Sequence, residues 1–83
     1  MNRRRLLRRL TQGELHNVAF GDVVDLLEGF GFRLVRTSGR HRIFSQTDIP
    51  EVVNLQPLRG EAKPYQIRQF LRLVERYNLP LEE

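Results

Sequence analysis

The chain has 83 residues, enough for one compact core and too few for two, with 40% hydrophobic and 29% charged residues. No apolar run approaches the roughly 20 residues that span a bilayer, which excludes a membrane-spanning helix. The absence of cysteine removes disulfides, thiolate catalysis and Cys-based zinc sites, and makes a reducing, cytoplasmic setting the expectation. The formal charge of +4 is concentrated in two places: residues 1–10 hold five Arg and no acid, and residues 33–42 hold four more Arg and no acid. Such patches attract phosphate backbones or acidic partner surfaces.

The start, "MNRRRLLRRL", lacks the apolar core of a secretory signal and the Ser-rich stretch of a transit peptide. It reads as a basic arm over residues 1–17, flexible or a short helix, with Leu6, Leu7 and Leu10 as a weak apolar stripe. The body follows as a single domain over 18–79, with a C-terminal tail at 80–83. In "AFGDVVDLLEGFGF" the residues Phe20, Val23, Val24, Leu27 and Phe30 fall at helical spacing, Asp22 lies near the start, and Gly29 or Gly31 can end the helix. "FRLVRT" alternates as a strand, "SGR" is a turn in which Gly39 takes positive φ at no steric cost, and "HRIFS" returns as a second strand. "EVVNLQ" makes a third strand, with Val53 and Leu55 on one face and Asn54 and Gln56 on the other.

"PLRGEAK" reads as a loop, and Pro64 suits the first turn of a closing helix. Ile67, Phe70, Leu71 and Val74 give that helix its core-facing stripe, while Gln66, Arg68, Arg72 and Arg76 are expected to face away; it should end near Asn78, before Pro80. The sum is an α+β fold of order α-β-β-β-α. A three-stranded antiparallel sheet has two helices on one face and its other face partly open, as in a double-stranded RNA-binding domain.

The open face is where chemistry would sit, and "RTSGRHRIF" supplies the one candidate. An imidazole takes or gives a proton near neutral pH, which a guanidinium cannot, so His41 is the proton-transfer candidate in the basic hairpin. Read as a structural residue instead, it would hydrogen-bond the turn. Arg36, Arg40 and Arg42, with Ser38 and Gly39 of the turn and Lys63 ahead of the last helix, are the candidate phosphate-holding residues. Strand alternation leaves open whether Ile43 or Phe44 faces the core; Phe44 inward sends His41 outward together with Ile43, and that arrangement is the expectation.

Other features read as structure. His16 lies in a polar stretch with nothing gathered around it, and two histidines 25 residues apart with scattered carboxylates make no metal ligand set. "GFGF" closes a helix rather than opening one, so it is no phosphate loop. Arg68, Arg72 and Arg76 form a solvated row, partly balanced by Glu75. Phe32 and Phe44 belong to core packing, which leaves Tyr65 as the one aromatic open to stacking on a base.

The stretches "LLEGFGFRLVRTSGRHRIFS" and "NLQPLRGEAKPYQIRQFLRLVERYNL" resemble the HicA toxin family, the YcfA-like messenger-RNA interferases, over about residues 20–79. The resemblance implies a small toxin with this α-β-β-β-α fold that cleaves RNA without a metal or other cofactor and is neutralised by a HicB-type antitoxin. It carries the family's catalytic histidine onto His41 and its turn glycine onto Gly39. The family's "GSH" reads "GRH" here, so Arg40 replaces a small serine. Gln56 stands where many compact members have a second histidine, and "KPYQ" where they have a Lys-Pro-Gly start to the last helix. The basic arm matches a longer-bodied subgroup. Residue chemistry by itself also accommodates an RNA-binding module without catalysis, or a protein whose basic face docks an acidic partner.

Overall fold

The computed structural model describes residues 2–83; Met1, the first residue of the basic arm, lies outside them. Helix α1 (Arg3–Thr11) starts where the Asn2 side chain accepts a hydrogen bond from Arg5 N at 3.0 Å, satisfying one of the first-turn donors that have no partner within the helix. Its Leu6 and Leu10 are buried in the same core as the rest of the chain. The stripe that looked weak is therefore a packing face. It is narrow because, apart from Leu7 and Thr11, the other residues of the helix are arginines.

Helix α2 (Phe20–Gly29) buries Val23, Leu26 and Leu27, and Asp22 in its first turn complements the helix dipole. Its end is set by Gly31, at φ +88°: Phe32 N bonds Leu27 O at 3.0 Å and Gly31 N bonds Glu28 O at 3.0 Å, the paired closure that needs a left-handed residue at this position. Gly29 does something different. A Cβ there would lie 2.8 Å from the Arg3 side chain and 2.9 Å from the Glu82 carbonyl, so the C-terminal tail and α1 meet over this residue because it has no side chain. Glu82 N bonds Gly29 O at 2.7 Å, and Arg4 pairs with Glu83 at 2.7 Å, tying the tail down.

Strands β1 (Arg33–Ser38), β2 (His41–Ser45) and β3 (Val52–Leu55) form an antiparallel sheet in the order β1-β2-β3. Phe44, Val53 and Leu55 point into the core, where Phe70 lies edge-on to both Phe30 and Phe32 with ring centroids 5.7 and 5.9 Å away. The fold is the expected α-β-β-β-α sandwich with α1 added. All of β1 is exposed, including Leu34 and Val35, because this edge strand runs past the cover of the helices. A bulge between Leu34 and Arg36 shifts its register.

Two local expectations are corrected. "PLRGEAK" is a tight hairpin, β4 (Pro57–Leu58) paired with β5 (Glu61–Ala62), turned by Arg59 and Gly60 at φ +53° and +80°, as in a type I′ turn. It pins the start of α2: Phe20 N bonds Gly60 O at 2.9 Å and Ala62 N bonds Val18 O at 3.0 Å. Gln66, expected to face solvent, is buried near the start of α3 (Pro64–Tyr77). Its Oε1 accepts from Gln56 N at 2.8 Å, supplying a partner for a backbone N–H just as the chain leaves β3. Helix α3 begins with Pro64 at its first turn and ends at Asn78, which adopts the left-handed conformation (φ +49°, ψ +50°). Near that end the Tyr77 hydroxyl donates to both Glu51 oxygens at 2.7 and 2.8 Å, which lowers the Glu51 carboxyl and raises the Tyr77 phenol from their ordinary values.

Candidate functional site on the open sheet face

Directly opposed residues of neighbouring strands share a face. The pairs Arg36↔Ile43↔Asn54 make one row across the sheet and Ser38↔His41 begins the next, while Leu34↔Phe44↔Val53 and Thr37↔Arg42↔Leu55 lie on the helix side. With Phe44 inward, His41 points to the open face together with Ile43, as expected. Leu55 opposes Arg42, so Gln56 follows one residue on, level with His41.

The hairpin that carries His41 turns in two residues, Gly39 and Arg40. Gly39 holds φ +59°, and a Cβ there would meet nothing within 4 Å, so the requirement for glycine is conformational and not steric. Arg40 is exposed at the tip, where its carbonyl accepts from Arg42 Nη1 at 3.2 Å.

His41 is exposed, and its Nδ1 lies 3.2 Å from Asn54 Oδ1. An amide oxygen can only accept, so this contact is a hydrogen bond in the ring tautomer that carries its proton on Nδ1, the one that leaves the Nε2 lone pair open. Nε2 makes no hydrogen bond among the described residues. Beside this pair, Lys63 Nζ donates to Gln56 Oε1 at 3.2 Å, and Tyr65, half-exposed, accepts at its hydroxyl from Gln66 Nε2 at 3.3 Å.

The six residues assigned by sequence to phosphate are thus not one cluster. Arg36 and Ser38 share the face of His41, Gly39 and Arg40 form the turn beside it, and Lys63 approaches through Gln56. Arg42 is on the other side of the sheet, its guanidinium 5.7 Å from the centre of the Phe20 ring, a cation–π contact with the start of α2. The basic arm is also less free than its composition suggests. Arg3 makes a two-pronged pair with Asp25 at 3.1 and 3.0 Å, Arg4 binds Glu83, and Arg9 binds the His16 carbonyl and lies 3.6 Å from Glu14. Asn54 has one signal in the sequence, strand alternation, which sets it on the polar face without indicating that it reaches the imidazole. Among the described residues no three His, Cys, Asp or Glu side chains converge as metal ligands, and no helix is long and apolar enough to cross a membrane.

These features define a class: a small α+β domain whose three-stranded sheet presents an amide-bound imidazole and an arginine on the face the helices leave bare. In comparisons with known families, the model for the HicA toxin of bacterial toxin–antitoxin systems matches residues 20–75, and the chain belongs to that family. No curated protein and no solved structure gives a match. The matched span opens at Phe20 and closes within α3, so α1 lies outside it.

Proposed function

We propose that the protein is a toxin that cleaves messenger RNA without a metal, with His41 as its acid–base group, and that a HicB-type antitoxin holds it in check. The observation that supports this reading is the placement of His41, exposed on the sheet face that also carries Arg36, next to the turn residue Arg40, with its Nδ1 3.2 Å from Asn54 Oδ1.

With RNA on this face, Nε2 takes the proton of a ribose 2′-hydroxyl. The 2′-oxygen forms a bond to the adjacent phosphorus, the bond from phosphorus to the 5′-oxygen breaks, and the imidazolium returns its proton to that departing oxygen. A cyclic 2′,3′-phosphate and a free 5′-hydroxyl result. Arg36 and Arg40 balance the charge on the non-bridging oxygens, and Lys63 extends the positive surface along the strand. The antitoxin would cover the same face, where acidic side chains find Arg33, Arg36 and Arg40. RNA cleavage by purified protein in EDTA, wild type beside His41→Ala, tests the proposal: cleavage by the wild type and its loss in the variant are expected. Equal cleavage by the two, or none by either, overturns it.

A further inference from the structure

We propose that Asn54 is a positioning residue for His41: its side-chain oxygen holds the ring proton on Nδ1 and so reserves Nε2 for proton transfer. The inference rests on the reading of His41 as the acid–base group. Register explains why this residue is able to do it. Asn54 opposes Ile43, and His41 lies two residues from Ile43 on the same face of the central strand, so the two side chains are diagonal neighbours across a strand pair. An imidazole leaning along its strand closes that diagonal, and the 3.2 Å contact of Nδ1 with Oδ1 is the outcome.

The contact decides which nitrogen works. A neutral histidine ring in water favours the tautomer with its proton on Nε2, which leaves Nδ1 as the base, close to the backbone and poorly placed for a bound phosphate. An acceptor opposite Nδ1 inverts that preference and restrains the ring about its torsions, as the second group does wherever an imidazole works as a base. Asn54 does so with an uncharged oxygen, so no carboxylate competes with RNA for Arg36 and Arg40. Its position on β3, with Phe44, Val53 and Leu55 buried behind the sheet, makes it a rigid support.

Long-range ¹H–¹⁵N spectra of the histidine rings at a pH where they are neutral test this directly, read alongside kcat and KM for RNA cleavage in wild type, Asn54→Leu and Asn54→Asp. His16 is the internal reference, since its ring makes no hydrogen bond among the described residues. The wild-type His41 ring should carry its proton on Nδ1, in contrast to His16. Asn54→Leu should return it to Nε2 and lower kcat roughly 3- to 10-fold with KM nearly unchanged, the scale of one lost hydrogen bond. Asn54→Asp, which keeps an oxygen acceptor, should restore Nδ1–H. A wild-type His41 in the same tautomer as His16, a tautomer indifferent to Asn54→Leu, or a kcat indifferent to a changed tautomer overturns the proposal. If the wild type does not cleave, the nuclease reading fails by itself, and the spectra still decide whether Asn54 sets the tautomer.

Discussion

Truncating Leu10 tests whether α1 is part of the domain or a detachable arm. Leu10 is 1% exposed and packs in the same core as Leu6, Val18 and Leu27. Replacing it with Ala removes three carbon atoms from a site that it shares with Leu15 and with Leu71 and Val74 of α3, and buried Leu-to-Ala changes cost about 2–5 kcal/mol. A domain of this size has roughly 4–12 kcal/mol of stability in all, so the change consumes a large part of it. Taking about 3 kcal/mol and the usual shift of about 4–8 °C per kcal/mol for a domain this small, Tm falls by roughly 12–24 °C. Calorimetry or thermal circular dichroism reads this, with Arg8→Ala as the control, because Arg8 is exposed and its loss should stay within about 0.5 kcal/mol. A Leu10→Ala protein that melts within the error of Arg8→Ala refutes the docking of α1.

The Asp25 carboxyl is held below its ordinary value of 3.8 by its hydrogen bonds with Arg3, so the pair contributes stability above that value and loses it as pH falls through the lower value of the folded state. Glu51 beside Tyr77 and Glu83 beside Arg4 act in the same sense from 4.5 downward. Tm should therefore fall on acidification below about pH 4.5, and Asp25→Asn should start lower at neutral pH and converge with wild type at the acid end; parallel curves contradict the pairing. Gln66→Leu strands the Gln56 N–H and should cost about 1–3 kcal/mol in urea unfolding, whereas Gln66→Glu, which keeps the acceptor, costs less; equal midpoints for the three proteins contradict the assigned contact.

Where a residue's role was fixed by its neighbours along the chain, the sequence was enough. The alternation of β3, the spacing of Ile67 and Phe70, the glycine turn at 39 and the stop at Asn78 are all local signals, and each appears where expected. The errors lie where a distant partner decides. Gln66 reads as a solvated polar residue until the unpaired N–H of Gln56, ten residues away, calls for an acceptor. The arm's two readings, flexible or a short helix, stay open from sequence because Asp25, Glu83 and the space over Gly29, which hold it in place as a helix, are remote in sequence. The same limit applied to the site. Alternation separates His41 from Phe44, but charge alone groups Arg42 with His41, although alternation sets it on the other face, where it stacks on Phe20 behind the sheet. Asn54 lies on the right face, but an amide two positions off the direct cross-strand register carries no motif in the sequence.

In the proposed reaction, one imidazole on an open sheet carries the proton in RNA cleavage. Single-turnover cleavage of RNA in excess EDTA, by wild type and by His41→Ala folded to the same Tm, measures it most directly. Loss of a general acid–base group predicts a rate lower by about 10²–10⁴ in the variant, with wild-type products ending in a cyclic 2′,3′-phosphate. A variant that cleaves at the wild-type rate, or a wild type that leaves the RNA intact, contradicts it.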